Sequence, residues 1–452
     1  EMQYPTAQIY RLATTSDFPY HACGAQQDNS TVCVSSDPGH LSNPRGVSTE
    51  WMYSVGGGES GYVVSHPADP NIFYAGATNA LTRYDRGTGI VRDIQPYPRI
   101  VMGEPARDMP ERWNWTYPIA VSFAEPDALY VGSQHLWKSS DEGTSWQRIS
   151  PDLTRADPET MNDSGGPVVK DQDGPEIYAT LYSITPSPHD AATIWTGSDD
   201  GFVHITRDSG ENWSNVTPPD MIAHTRVMTI DVSHHDAGTA YVAGIRYEMD
   251  DRSPYAWKTN DYGENWTKII DGIAPDDFVR VVREDPDRSG LLYAGTEHGV
   301  YVSFDDGGSW ATLSYDLPDT PVTGLAVQDR DLVISTHGRS FWVLDDIETL
   351  RQVRADVAKA DAHMFAPADA IRRSVPAVLD YYVSGSDREV RLDVLDGEGE
   401  LVRTLFQGTR DEGTYRETWN LRYPGAVTFE GIVLEGGNPA IGPWSPPGRY
   451  EA

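Results

Sequence analysis

An eight-residue pattern, Ser/Thr-x-Asp-x-Gly-x-Ser/Asn-Trp, occurs four times in this 452-residue chain. A repeat of this kind restricts the chain to architectures that multiply one supersecondary unit. The copies occupy residues 139–146, 206–213, 259–266 and 303–310, with 67, 53 and 44 residues between successive tryptophans. Each position has the chemistry of a turn. Asp141, Asp208, Asp261 and Asp305 can accept hydrogen bonds from backbone N–H groups, while Gly143, Gly210, Gly263 and Gly307 supply a positive φ. The Ser or Thr hydroxyl ties the incoming strand to the turn. Trp146, Trp213, Trp266 and Trp310 then open the next strand with an apolar body large enough to wedge between sheets. These twelve residues therefore read as structural.

Upstream of each copy stands one phrase, an apolar strand ending in small residues and a second strand leading into the turn: ALYVGSQ with HLWKSS, TIWTGSDD with GFVHIT, LLYAGTEH with GVYVSF. It recurs without the turn signature in NIFYAGATN with ALTRYDRGTG and in DLVISTHGR with SFWVLDD. Adding the opening FPYHACGAQQ with STVCVSS gives seven four-stranded units, near 4–56, 57–98, 110–150, 175–218, 225–272, 276–315 and 320–350. The 41 Gly, 32 Pro, 13 Trp and 24 Tyr suit short strands punctuated by turns. The expected fold is all-β, a seven-bladed β-propeller over residues 1–346 whose ring removes most exposed strand edges. Its closing strand could come from either terminus or from a part of the protein outside this chain.

The four turns resemble the Asp-box (BNR) repeats of sortilin-type and glycosyl-hydrolase-like propeller proteins. STHGRSFWVLDDI (335–347) is similar to the last blade of large secreted bacterial members, and GAQQDNSTV (24–32) and SVGGGESGY (54–62) look like that group too. The resemblance covers roughly residues 1–350 and is specific for fold, not for activity. Two-propeller xyloglucan-cleaving enzymes share the repeat and place paired carboxylates in a cleft between propellers. It also implies a second propeller upstream. The chain opens at Glu1 and ends on strand-like PPGRYEA, so both ends are expected to be cut from a longer parent.

Past the repeats, residues 347–373 are rich in Ala, Asp and Arg and are expected to form a helical connector. Alternation returns over 374–452, in AVLDYYVS, EVRLDVLDGEGELVRTLF and TYRETWNLRYPG. This predicts a small Ig-like β-sandwich, incomplete at its C-terminus, which resembles the flagellar-hook-capping type appended to secreted bacterial enzymes.

In a propeller the loops between second and third strands share a face with the blade-to-blade connections, opposite the aspartate turns. The first set carries Gln26, Gln27, Asp28, Asn29, Thr78, Asn79, Gln134, His135, Asp199, Asp200, Arg246, Glu297, His298, His337 and Arg339. The connections add Glu59, residues 111–115 and the insert 151–174. Flat aromatics beside carboxylates and amides suit sugar rings. Candidate ligand-binding residues are Gln27, Arg112, Trp113, Trp115, His135, Arg246, His298, His337 and Arg339, with ordinary packing under a loop as the other reading of Trp113 and Trp115. Glycoside hydrolysis needs two carboxylates, and the candidates are Asp28, Glu59, Asp199, Asp200 and Glu297. Taken singly, each of them reads first as a turn residue or as the partner of a ring arginine such as Arg246 or Arg339. The expected function is binding of a glycan or peptide. The alternatives are a glycoside hydrolase completed by the upstream propeller, and a docking platform for other surface proteins.

The net charge is −33, and the only lysines are Lys138, Lys170, Lys258, Lys268 and Lys359, which excludes nucleic acid as a partner. No run of eighteen apolar residues exists, so no membrane insertion is expected. The expected location is extracellular, periplasmic or cell-surface, although the chain carries no signal sequence. Cys23 and Cys33 would face each other if residues 27–29 formed a hairpin loop with Asn29 left-handed. A disulfide is then possible, implying an oxidising compartment, with two buried thiols as the alternative. Neither zinc nor EF-hand spacing occurs, and no cofactor is expected; the one metal suggestion is calcium in the acidic loop 163–174. Sialidase chemistry lacks its start motif, since Tyr97-Pro98-Arg99-Ile100 is not Phe-Arg-Ile-Pro, and no GxSxG elbow, phosphate loop or dinucleotide fingerprint appears.

Overall fold

The computed structural model describes residues 6–37, 52–78, 80–98, 102–166, 168, 170–372, 376–427, 429 and 438–452. Asn79, Arg99 and Ile100 lie outside the described residues, as do 167 and 169 of the acidic loop. The chain divides into two compact units, Glu1–Leu344 and Asp345–Ala452.

The first unit is an all-β propeller. Its first sheet runs Ala13–Thr14, His21–Ala25, Thr31–Ser35, Met52–Tyr53, each strand antiparallel to the one before. Five further four-stranded sheets follow over 63–93, 119–148, 181–215, 226–268 and 279–312, and a seventh over 322–344 has three strands among the described residues. Among the described residues no further strand pairs with Phe341–Leu344, so three of the four strands expected of that sheet are seen. Second strands such as Ile194–Ser198 and Leu292–Thr296 are buried at every residue, since both faces of their sheet lie against neighbours. The outermost strands Gln147–Arg148 and Ser214–Asn215 are exposed at both residues.

The aspartate turns show how neighbouring sheets are joined. In each, the Asp carboxylate accepts a backbone N–H four residues on at 2.8 Å, from Ser145, Asn212, Asn265 and Ser309. The Ser or Thr hydroxyl receives the glycine N–H at 2.9 Å. The residue before each glycine is left-handed as well: Glu142, Ser209, Tyr262 and Asp306 have φ of 54°, 61°, 59° and 63°. The tryptophan indole N–H then donates to a carbonyl of the preceding sheet, from Trp146 to Ile94, Trp213 to Ile149, Trp266 to Val216 and Trp310 to Ile269, at 2.7 to 3.0 Å. Each acceptor is the residue just past the outer strand of its sheet, and each also abuts the glycine of the same turn. One aliphatic residue is therefore gripped twice by the next sheet.

Ring closure uses other means. Between the first and second sheets, Cys23, Cys33, Val55, Val63, Phe73 and Ala75 form one buried cluster. Between the seventh and first, Tyr20 and Ala22 pack on Val333, Tyr20 donates to Asp331 at 2.9 Å, and Thr14 donates to Gln328 at 2.7 Å. The segment before Ala13 lies against the seventh sheet, with Ile9 N–H on the Thr336 carbonyl at 2.9 Å and Gly338 N–H on the Ala7 carbonyl at 2.9 Å. Cys23 stands opposite Cys33 in register and the two form a disulfide. The left-handed residue of that hairpin is Asp28, with φ 56°, and not Asn29 as expected. Asn29 instead returns its N–H to the Gln26 carbonyl at 3.1 Å, closing the turn one position later.

In the second unit, Glu348–Gln352 is a single short α-helix. Ala362–Met364, Ala377–Val383 and Gly413–Trp419 form one sheet, and Arg388–Leu395 with Leu401–Arg410 a second. Leu379, Tyr381, Leu392, Val394, Val402 and Trp419, drawn from both sheets, share one core. Among the described residues no helix is long and apolar enough to cross a membrane.

Candidate functional site

Four consecutive inner strands carry the same irregularity. Pairing with the second strand skips one residue in the fourth to seventh sheets, leaving Tyr182, Met228, Arg280 and Thr323 unmatched. A β-bulge of this kind turns the extra residue out of the ladder and is common where a sheet positions functional groups. Two of the bulged residues meet, and two are reached by the segment before the first strand. Tyr182 and Met228 pack together with Phe278 and Ile245, Thr323 donates to the Ile9 carbonyl at 2.7 Å, and Arg11 donates to the Met228 carbonyl at 3.1 Å.

At this end of the ring Asp28 and Glu59 come together. The Asp28 backbone N–H donates to Glu59 Oε2 at 2.7 Å, and the Gln27 amide donates to Asp28 Oδ1 at 3.0 Å and to Glu59 Oε2 at 3.3 Å. Because both oxygens accept from one amide nitrogen, Asp28 Oδ1 and Glu59 Oε2 are no more than about 6 Å apart. The Tyr10 hydroxyl donates to the Gln27 amide oxygen. Burial, with the nearby Glu59, Tyr182 and Asp28, raises the Tyr10 hydroxyl above its ordinary pKa, while the adjacent Trp115 side chain pulls it down. His337 meets the Tyr10 ring edge-on at 5.5 Å. Asp28 is exposed, and Gln27, Glu59, Tyr10 and Trp115 are half-buried, so two carboxylates, an amide, a phenol and an indole lie together within reach of solvent at what we call the mouth.

Other sequence candidates are held elsewhere. Asp199 and Asp200 are each 1% exposed. Asp199 receives both the backbone N–H and the hydroxyl of Thr180, at 2.8 and 2.7 Å, and burial with the charge of Asp200 pushes its carboxyl up to about 7. Asp200 accepts the backbone N–H groups of Arg155 and Ala156 at 2.9 and 3.1 Å and so anchors the long insert. Neither is open to a ligand. Glu297 is paired with Arg280 at 2.6 Å, and Arg246 with Asp251 at 3.1 Å. Arg112 is buried, bonded to Asp152 at 2.6 Å and to the Ala179 carbonyl at 2.8 Å. Trp113 is a core residue at 4% exposure, packed edge-on against Tyr117, and offers no surface for stacking. His135 faces the buried Glu111 at 3.1 Å; that contact helps hold the Glu111 carboxyl below its usual range against its burial. His298 sits at the rim on Asp319 at 2.8 Å, and Arg339 is exposed nearby in sequence to His337. Of the histidine pair His234-His235, both exposed, His235 reaches the Asp285 carbonyl at 2.9 Å.

Among the described residues no group of three or more His, Cys, Asp or Glu is placed to hold a metal ion. In the acidic loop Asp163 is instead paired with Lys170 at 3.1 Å.

Sequence reasoning missed Tyr10, Arg11, Tyr182, Arg226 and Arg280. Tyr182, Arg226 and Arg280 lie in inner strands, and Tyr10 and Arg11 in the strand-like AQIYRLATT, just before the first strand; that stretch is the one signal the sequence holds for the last two.

No protein-family model and no curated protein matches the chain. Among solved structures it is similar to the GH74 xyloglucanase from Xanthomonas campestris, at 15% identity and a TM-score of 0.52, over 85% of this chain and 59% of that one. It is also similar to the GH74 enzyme from Niastella koreensis, at 13% identity and a TM-score of 0.50, over 94% of this chain and 67% of that one. The chain thus spans 59% of the length of the first of these relatives. At such identities the likeness speaks for architecture alone, and that architecture is the β-propeller.

Proposed function

We propose that the chain is a seven-bladed, secreted or cell-surface propeller that binds a glycan at the mouth formed by Tyr10, Gln27, Asp28, Glu59 and Trp115. The observation that carries this is the Gln27 amide shared by Asp28 and Glu59 beside a half-buried phenol and indole. Carboxylates fixed by an amide are preorganised acceptors for sugar hydroxyls, and an aromatic face takes the sugar C–H face. The Cys23–Cys33 disulfide supports an oxidising location. The fold likeness to two GH74 proteins, one a xyloglucanase, adds polysaccharide to the chemistry worth testing.

A second reading is hydrolysis, favoured by the short spacing of Asp28 and Glu59. Isothermal titration of the 452-residue chain against plant and microbial oligosaccharides, alongside reducing-end release on the same panel, separates the two. Binding without turnover, weakened about tenfold or more in Trp115→Ala, is the expected result. Turnover abolished in Asp28→Asn or Glu59→Gln would instead establish the hydrolase, and no binding by any sugar would dismiss both.

A further inference from the structure

Arg11 follows Tyr10 in the chain and is 5% exposed. Its Nη1 donates to the Met228 carbonyl at 3.1 Å, and its guanidinium lies against the Tyr62 and Tyr182 rings, 4.9 and 5.1 Å from their centroids. Nη2 is buried and has no hydrogen-bond partner, and no carboxylate pairs with Arg11 among the described residues. An arginine stays charged however it is buried, so a guanidinium with one unpartnered arm and no carboxylate is costly unless something answers its charge.

Two more side chains here have a buried nitrogen without a partner. Arg226 lies 4.9 Å from the Tyr182 ring centroid, and although its Nη1 is paired with Glu248 at 2.6 Å, its Nε is buried without a partner. His337, beside Tyr10, also has a buried and unpartnered Nε2. Arg280, on the bulge of the sixth sheet, is near enough with Arg11 to disfavour the charged form of that imidazole. Arg226 and Arg280 each have a carboxylate partner, in Glu248 and Glu297, whereas Arg11 has none among the described residues.

We infer that Arg11, with His337 beside it, forms a carboxylate subsite, and that the glycan bound at the mouth carries a uronic acid whose carboxylate answers the charge of the Arg11 guanidinium. This rests on the glycan-binding reading. A guanidinium lying against two aromatic rings presents its edge, and an edge-on N–H fork matches the planar carboxylate in a two-point contact. Asp28 and Glu59 remain for the hydroxyls of the neighbouring sugar.

The test titrates the 452-residue chain with galacturonate, glucuronate and mannuronate trisaccharides, their methyl esters and the corresponding neutral trisaccharides. The acid of at least one series is expected to bind about tenfold or more tighter than its ester, a gap that shrinks below about threefold in Arg11→Lys, which keeps the charge and loses the fork. The acid-to-ester comparison needs no variant, so a poorly folding Arg11→Lys leaves it intact. Equal binding of acid and ester in every series that binds would overturn the subsite and spare the glycan reading. A preference that survives Arg11→Lys would overturn the assignment to Arg11. No binding by any of the sugars would overturn the glycan reading and the subsite with it.

Discussion

Asp199 and His337 titrate in opposite senses over one pH window. Burial, reinforced by Asp200, pushes the Asp199 carboxyl up to about 7, so between roughly pH 4 and 7 the native state holds the extra proton and stability falls as pH rises. Burial, with Arg280 and Arg11 nearby, holds His337 down at about 4, so between roughly pH 4 and 6.5 the unfolded state holds the extra proton and stability rises with pH. Each slope is at most about 1.4 kcal/mol per pH unit, and in the wild type they offset. Asp199→Asn, which keeps an acceptor for the Thr180 N–H, is expected to make the slope of unfolding free energy from pH 4.5 to 6.5 more positive than in the wild type, and His337→Gln to make it more negative. Urea unfolding across that range decides; three parallel profiles would rule out both burial effects. Neither residue shows this behaviour in the sequence, because Thr180 and Arg280 reach them from other strands and other sheets.

Joints between sheets are the element that repeats. At Gly263, φ is 88° and an added Cβ would sit 2.6 Å from Val216 Cβ, an atom fixed to the backbone of the preceding sheet. Gly263→Ala is expected to cost about 3 kcal/mol in chemical denaturation, combining left-handed strain with overpacking. Trp266→Phe keeps most of the apolar body but strips the Val216 carbonyl of its donor, an expected loss of about 1 to 3 kcal/mol. A Gly263→Ala protein as stable as the wild type would show that sheet and turn are not locked together. The turn itself was legible, since its hydrogen bonds span only four residues. Its second left-handed residue was not, because Glu, Ser, Tyr and Asp carry no shared preference for that conformation and are forced into it by the closure of the loop. The hairpin joined by Cys23 and Cys33 follows the same rule: pairing across the strands could be counted from the sequence, whereas the choice of Asp28 over Asn29 depended on Glu59 accepting the Asp28 N–H. Replacing both cysteines by alanine is expected to lower stability by about 2 to 3 kcal/mol, read as a shift in the denaturation midpoint.

For the propeller as a whole, closure falls on the segment before Ala13. Ile9 is fully buried and bonded through its N–H to Thr336 and through its carbonyl to Thr323. Ile9→Ala is expected to cost about 2 to 5 kcal/mol, as for other core truncations, and to loosen the contact of first and seventh sheets, seen as faster amide exchange at Tyr20 and Val333. A protection pattern unchanged there would mean that the ring holds without this segment. The net charge of −33 sets a second expectation for the chain. Repulsion among carboxylates is screened as the Debye length shrinks to about 10 Å at 0.1 M salt, so the thermal midpoint should rise with sodium chloride. A falling midpoint would mean that attractive surface pairs outweigh the repulsion.

The sequence by itself determined the all-β class, the repeated sheet unit, the turn chemistry and the facing cysteines, because each is a matter of neighbours along one or two adjacent strands. It also drew attention to Asp28, Glu59, Gln27 and Trp115 through the loops that carry them. Only the tertiary structure decided that Asp199, Asp200, Arg112 and Trp113 are committed to packing and that Tyr10, Arg11 and Tyr182 stand at the mouth. Those outcomes depend on contacts between sheets far apart in the chain and on one extra residue in each of four inner strands, and periodicity along a strand records neither.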